Sequence, residues 1–422
     1  MKILTISSTT WDNSNSFGNT FSNLFGGMEN VEIYNIACRN GVSNNNVTAK
    51  ELQMTDKSVL KSILKFGFDP CCEITQQDNN DKTNSVISVN AIKKRRTISF
   101  IIRDLIWKLG RWKKSKVLQN FLEENKPDVI YLPIYAWPYM CDIQQYIIDK
   151  LGVPVVGHIS DDVYNMPPDA SGLSKIYRKH LQKKITRLIK SCKYLEVFAQ
   201  NMADEYSREF DVPCYLIGKG VTENEIKSIP TYQPKEEGKF RIIYTGNISA
   251  ERFSVLYMLG KDIDTHFKDK AVIDIYTQTF LSEEMQKGFD ELNSICLKGS
   301  VSSDEVRKIQ RTADMLLHIE GFSEKSLFEV KMSFSTKIID YMLTGVPILA
   351  VGPGRANSIM VLEKDNLATV ITEPQKISDA LNKILNNEIN FTEQSKNVIS
   401  FLNRERNIDL IQKGIYDRLE TL

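Results

Sequence analysis

The sequence predicts an α/β protein of two domains, each a parallel sheet covered by helices. Three observations carry this. The chain has 422 residues and is 42% hydrophobic, enough to fill two cores of ordinary size. Short apolar strands alternate with amphipathic helices from Lys2 to Leu419, the pattern of right-handed βαβ units. A charged segment from Thr222 to Gly238, carrying Pro230 and Pro234, interrupts the alternation in mid-chain and reads as a linker.

Composition narrows the class. Lys and Arg total 54 against 53 Asp and Glu, so no global field favours nucleic acid, and no nucleic-acid partner is expected. Seven cysteines are scattered without CxxC or Cys/His spacing and read as reduced thiols in cytosol. Four histidines without ligand spacing argue against a metal site. The opening MKILTISSTT has an apolar core too short for a signal peptide and reads as a first strand, and no run approaches the ~18 apolar residues of a membrane span. A cytoplasmic protein, soluble or peripheral at the inner face of the plasma membrane, is the expectation.

In chain order, Lys2 to Ser8 is a strand, Thr9 to Asn19 a polar loop containing Gly18 and Asn19, and Phe21, Leu24 and Phe25 mark a helix. Val31 to Ala37 is a second strand. The polar, Asn-rich stretch from about 40 to 91 reads as a variable insertion with one short helix. Lys93 to Lys116 then carries ten Lys and Arg against the single acid Asp104. Ile98, Ile101, Ile102, Leu105, Leu109 and Trp112 recur at helical spacing, with Trp107 as a further aromatic. Two readings compete for this helix: a domain helix that packs its apolar face on the sheet, or a helix lying on an anionic membrane surface.

Strands at Asp128–Leu132, Val153–Ile159, Leu195–Gln200 and Cys214–Ile217 alternate with helices at Met140–Leu151, Ile176–Cys192 and Met202–Phe210. Ligands of such sheets bind beyond the carboxyl ends of strands, where His158, Asp161 and Asp162 fall. A histidine there is either an interior hydrogen bonder or a catalytic group, and either aspartate could orient it or receive an acceptor hydroxyl.

After the linker, Phe240–Thr245 is a strand followed by Gly246, Asn247 and Arg252, a βα turn with one cation. Ala271–Thr277, Ile295–Gly299 and Ala313–Ile319 are further strands, the last followed by Glu320. The stretch SFSTKIIDYMLTGVPILAVGP, Ser333 to Pro353, combines an N-cap signal at Ser335 and Thr336, a helix from Lys337 to Thr344 stopped by Gly345, and a strand from Pro347 to Val351. Lys337, Asp340 and Thr344 share one face. A helix start with a lysine suits a diphosphate, and a carboxylate one turn on suits sugar hydroxyls, whereas the plain alternative is a capped helix with a solvated Asp340. Strand and helix signals continue through Ala368–Thr372, Lys376–Leu385, Glu393–Arg404 and Ile408–Leu419.

Ser335 to Pro353 resembles the motif near the nucleotide-sugar site of family 4 GT-B glycosyltransferases, as found in bacterial polysaccharide enzymes. The resemblance implies the GT-B fold, two Rossmann-like domains facing a central cleft. These would span 1–221 on the acceptor side and 239–405 on the nucleotide-sugar side, with 406–422 returning as a final helix. It implies that Asp340 holds the ribose, that Ser335, Thr336 and Lys337 lie against the diphosphate, and that Gly299 approaches the base. Gly246–Arg252 resembles the family's GRLSPEKG loop, with Asn247 in place of its arginine and Arg252 in place of its lysine. Gly18 and Asn19 match the place of a donor-facing loop, and His158 that of a histidine contacting the donor sugar. Gly218–Val221 resembles the segment closing the first domain, with Lys219 where asparagine is usual. One departure stands out: eight residues before Asp340, where many members carry a first glutamate, this chain has Met332, and Glu320 lies twenty residues before it.

The resemblance implies a hexosyltransferase, retaining and without metal or other cofactor. It would move sugar from a nucleotide-diphosphate donor, UDP-sugar above others, to a membrane-associated glycan or lipid-linked acceptor in surface polysaccharide biosynthesis. A sugar-nucleotide 2-epimerase of the same fold and a non-catalytic membrane-surface protein are the alternatives.

Overall fold

The computed structural model describes residues 1–74, 93–233 and 238–422. The chain divides into two compact units. The first comprises Met1–Phe198, Met202–Ile217 and Leu410–Leu422, and the second Ala199–Asn201 and Gly218–Asp409.

The first unit runs β1 (Lys2–Ser7), α1 (Ser16–Phe25), β2 (Glu32–Ala37), β3 (Thr48–Met54), α2 (Asp56–Leu64), β4 (Cys71–Ile74), α3 (Lys93–Leu109), α4 (Lys116–Asn125), β5 (Val129–Pro133), α5 (Pro138–Leu151), β6 (Val155–Ile159), α6 (Gly172–Ser191), β7 (Tyr194–Val197), α7 (Gln200–Phe210) and β8 (Cys214–Leu216). Its sheet has the order β4-β3-β2-β1-β5-β6-β7-β8, parallel except for β4. Strands such as β5, VIYLP, are buried along their whole length, which is why they read as continuous apolar runs without alternation.

Three expectations change here. The stretch from 40 is part of the sheet where it is described, because β3 and β4 extend the edge beyond β2; residues 75–91 of the expected insertion lie outside the described residues. β3 escapes an apolar pattern because it buries polar groups in partnership: Glu51 accepts from the Trp11 amide at 2.9 Å and from Asn35 Nδ2 at 2.6 Å. Second, α1 begins at Ser16, with Asn15 as N-cap accepting from the Gly18 amide, so Gly18 and Asn19 stand in a helical first turn and not in a loop. Third, α3 ends at Leu109, and Trp112 lies in a separate 3₁₀ turn, Arg111–Lys114, entered through Gly110. Trp107 and Trp112 are buried, whereas Ile98, Ile101, Ile102, Leu105 and Leu109 are exposed. The apolar stripe of α3 therefore does not pack on the sheet. The side chains of Lys93, Lys94, Arg95 and Arg96 lie outside the described residues.

The second unit continues with α8 (Glu223–Lys227), β9 (Phe240–Thr245), α9 (Ala250–His266), β10 (Ala271–Tyr276), α10 (Glu283–Asp290), β11 (Ile295–Gly299), α11 (Ser303–Gln310), β12 (Met315–Ile319), α12 (Glu324–Val330), α13 (Lys337–Met342), β13 (Ile348–Val351), α14 (Asn357–Lys364), β14 (Thr369–Ile371), α15 (Ile377–Leu385) and α16 (Phe391–Glu405); α17 (Ile408–Glu420) leads back into the first unit. Part of the expected linker, 234–237, lies outside the described residues. All six strands are parallel in the order β11-β10-β9-β12-β13-β14. Successive crossovers run outward from β9 on one side and from β12 on the other, so the chain reverses its winding between these two central strands. That point opens a crevice at their carboxyl ends. Two apolar layers, one around Ile338, Ile339 and Leu362 and one around Leu256, Ile273 and Leu317, cover the two faces.

Candidate functional site

The carboxyl ends of β9 and β12 and the helix α13 meet at this crevice. Tyr341 ties them together. Its hydroxyl lies 3.0 Å from Thr245 Oγ1, accepts from the Thr245 amide at 3.3 Å and reaches the Leu317 carbonyl at 3.4 Å; Gln310 Nε2 donates to Thr245 Oγ1 at 2.9 Å. These groups are buried, so each hydrogen bond prevents an unsatisfied polar atom inside the unit. The network fixes a six-residue helix that would hardly persist alone.

α13 thereby presents Lys337 and Asp340 above the strand ends. The Lys337 ammonium sits against Gly246, where a β-carbon would lie 2.7 Å from Nζ, so only glycine lets the cation come this close to the backbone. Lys337 is exposed as a residue, yet loss of solvent around its charge and the neighbouring Arg252 hold it below the usual lysine range, against the pull of Glu320 and Asp340. Asp340 Oδ1 accepts from Lys219 Nζ at 2.6 Å, and about a third of its side chain stays exposed.

Arg252 stands in the first turn of α9, whose N-cap Ser249 accepts from its amide. Its guanidinium donates to Glu320 at 3.1 Å and 3.4 Å. Glu320 directly follows β12 and is nearly fully buried, with its amide bonded to the Val351 carbonyl. Burial raises its carboxyl above the ordinary range, with Arg252 opposing. Burial opposes the charge on Arg252 as well, but Glu320 and Tyr244 together outweigh it. Beneath them His318, on β12, has Nε2 3.7 Å from Glu320 and without a hydrogen-bond partner, and burial together with Arg252 and Lys337 pushes it down to about 3. Asn247 is exposed in the turn before α9, its carbonyl accepting from Tyr244 Oη at 2.7 Å. Gly299 closes β11, two strands away.

The structure thus brings Gly246, Arg252, Glu320, Lys337 and Asp340 together. The twenty-residue gap before Asp340 is no obstacle, because Glu320 arrives on the neighbouring strand end, while Met332 is buried in the core. Ser335 and Thr336 behave otherwise than expected. Thr336 is the N-cap but is helical, with no side-chain cap bond, and the Ser335 amide donates to Ser358 Oγ at 3.1 Å. The short helix opens on i→i+3 bonds from Ile338 and Ile339, so these two amides, like that of Ser335, are already engaged. Lys219, His318 and Tyr341 were not singled out as part of this cluster from sequence; only the lysine, in its unusual position before the linker, left a signal there.

In the first unit, a β-carbon on Gly18 would lie 2.1 Å from the Asp12 carbonyl, and its amide is taken by Asn15; Asn19 is exposed one residue on. His158 is buried among Phe21, Tyr131 and Phe198, with Tyr131 Oη 3.3 Å from Nδ1 and Ser160 Oγ 3.0 Å from Nε2; burial pushes it down to about 3. Tyr131 donates in turn to Glu196, which Arg418 neutralises. Of the two sequence readings, this environment is that of the interior hydrogen bonder. Asp162 Oδ1 accepts from Tyr164 N, Asn165 N and Tyr206 Oη at 3.0, 3.1 and 2.7 Å and organises its own loop. Asp161 is exposed. Among the described residues, no three His, Cys, Asp or Glu side chains are grouped to hold a metal ion, and no helix is long and apolar enough to cross a membrane.

No family model and no curated protein matches the chain. Solved structures do match its fold. HepE of Anabaena in complex with UDP aligns over 100% of both chains with a TM-score of 0.64 at 11% identity. A trehalose-6-phosphate protein of E. coli bound with UDP-2-fluoro glucose covers 100% of this chain and 99% of its own, with a TM-score of 0.62 at 8% identity. The lipopolysaccharide outer core galactosyltransferase WaaB does so over 100% and 99%, with a TM-score of 0.62 at 14% identity. These neighbours are GT-B glycosyltransferases, and at such identities the likeness is one of fold. The chain has the GT-B fold, with one Rossmann-like sheet in each unit.

Proposed function

We propose that the chain is a glycosyltransferase of hexosyl type that moves sugar from a UDP-sugar to a membrane-associated glycan or lipid-linked acceptor, in the assembly of a surface polysaccharide. One observation carries the reading: Arg252 and Lys337 converge with Glu320 and Asp340 at the switch point of the second sheet. When the glycosidic bond to a nucleoside diphosphate breaks, negative charge develops on the leaving phosphate. Two cations stand at that point, Lys337 tucked against the backbone of Gly246 and Arg252 able to exchange Glu320 for the phosphate, and together they stabilise that charge. Such stabilisation supports a metal-independent reaction. Asp340, held by Lys219 yet open on one side, suits the ribose hydroxyls, and Gly299 at the end of β11 suits the base.

Arg252 changes partner in this scheme. The diphosphate takes over the guanidinium, and Glu320, beside the anomeric region, turns to the sugar and its developing cation. Uridine as the base is supported by the complexes of HepE with UDP and with UDP-glucose. Asp161, the exposed carboxylate at the end of β6, is assigned the acceptor hydroxyl. A retaining outcome follows from the family resemblance.

The test is UDP release from a panel of UDP-sugars with and without EDTA, with the product anomer read by NMR. Release that survives EDTA and gives the donor's anomeric configuration is expected. Conversion of donor to an epimer without transfer, or inertness across the panel, would contradict the reading.

A further inference from the structure

The exposed stripe of α3 remains unexplained by the donor site. Ile98, Ile101, Ile102, Leu105 and Leu109 stand 50, 36, 53, 53 and 59% exposed on one face of a helix whose opposite face is anchored. There Trp107 donates to Asp56, and Asp104 accepts from the Tyr139 amide and from Tyr177 Oη at 2.8 Å. The stripe is therefore a fixed feature, not a helix waiting to dock inward. Leu60 and Leu64 on α2, Phe66 just beyond it, and Leu173 and Ile176 at the start of α6 are exposed as well, and α2 packs against α3. Water contact over so many large aliphatic side chains marks an interaction surface.

The charge beside it selects the partner. α6 carries seven Lys and Arg and no Asp or Glu, with Lys175, Lys179, Lys183, Arg187 and Lys190 exposed. Between α3 and α6 runs a groove of about 350 Å³, floored by α5. Lys108 and Lys113 line one wall; Lys184 and Arg187 line the other and are paired with Asp142 and Asp149. Trp107, Trp112 and Tyr146 line the groove too, and Lys113 Nζ lies 5.3 Å from the Trp112 and Tyr146 ring centroids.

We infer that the α2–α3–α6 face docks on an anionic phospholipid bilayer, with the Ile/Leu stripe of α3 entering the acyl boundary and a lipid phosphate seated in the α3–α6 groove. A protein partner would have to match an apolar ridge and a basic groove at once, whereas an anionic bilayer offers both chemistries in the right order of depth. Docking also brings the carboxyl edge of the first sheet close to the lipid, since Asp104 and Arg103 contact the segment that follows β5. The inference deepens the proposed acceptor class, but it is independent of turnover.

The experiment is sedimentation of the full chain with vesicles of phosphatidylcholine alone or mixed with phosphatidylglycerol, at low and high salt. Binding to the mixed vesicles that weakens with salt is expected. Ile102→Glu/Leu105→Glu and Lys108→Glu/Lys113→Glu should each weaken it at least about tenfold, with the far-UV spectrum and unfolding midpoint unchanged; these outward side chains are not needed for folding. No binding by the wild type, equal binding to both vesicles, or variants that bind as the wild type does would overturn it. So would release by excess soluble glycerol phosphate, which would reduce the groove to a site for free phosphate compounds. A wild-type dimer that Ile102→Glu/Leu105→Glu dissociates, without vesicle binding, would assign the stripe to a second copy of the chain and overturn it as well.

Discussion

The guanidinium of Arg252 lies 3.1 Å from the carboxylate of Glu320, at the point where the second sheet reverses its winding. Glu320 is almost wholly enclosed and Arg252 only partly, so the pair is asymmetric: the acid depends on the base more than the base on the acid. In the proposed function it is the arginine that leaves the pair for the diphosphate, because the arginine is the partner that reaches solvent.

Removing the base alone should therefore cost most. Arg252→Met leaves a buried carboxylate without its cation, and a loss on the order of 3 kcal/mol in urea unfolding is expected. The double variant Arg252→Met/Glu320→Gln should recover most of that loss. Additive losses in the two single variants would show that the pair is not coupled.

Asp340 is more exposed and its ion pair with Lys219 correspondingly less important for folding. Asp340→Ala should change stability by less than about 1 kcal/mol while weakening UDP binding roughly tenfold or more. Lys219→Met, in contrast, frees the carboxylate and should leave UDP affinity within about threefold. Calorimetric titration of both variants separates a ribose-binding Asp340 from a merely solvated one.

His158 and His318 are both held neutral by burial, each pushed down to about 3. In the unfolded chain they protonate near the ordinary value of about 6.5. Between these values the unfolded state binds more protons, so stability rises with pH; it is full above about 6.5 and is lost as pH falls towards 3. Each histidine should remove about 2 kcal/mol between pH 6.5 and about 5. His158→Gln and His318→Gln should each flatten that acid slope, as read from urea midpoints at the two pH values. A wild-type slope unchanged in both variants would contradict the burial argument, and a His158→Gln variant with UDP binding like that of the wild type would fit its interior placement.

Much of the fold was legible because buried parallel strands such as β9 and β13 are continuous apolar runs, and the helix pattern between them is regular. β3 was not, since its buried Glu51 and Gln53 look like surface residues until Asn35, Trp11 and Gly41 are known to partner them. At the site, Lys337 and Asp340 could be found from local spacing because they share one face of a single helix, and Arg252 from the resemblance of its βα turn to the family's loop. Glu320 was found only in part: its distance along the chain hides that β12 delivers it next to Arg252. Tyr341 and His318 sit inside apolar strings, where an aromatic ring reads as core, and nothing local shows that a hydroxyl or an imidazole reaches the site. The exposure of the α3 stripe was equally hidden, because helical spacing gives the stripe but not which way it faces.

Titration of UDP into the wild type and Lys337→Ala tests the proposed donor site most directly. With its ammonium against Gly246 and its proton held less tightly than in an ordinary lysine, Lys337 should lend the wild type an affinity that falls with rising pH below the usual lysine value of about 10.4. Lys337→Ala should bind UDP at least about tenfold more weakly and lose that pH dependence. UDP binding of equal strength in the two proteins, or none in the wild type, would contradict the account.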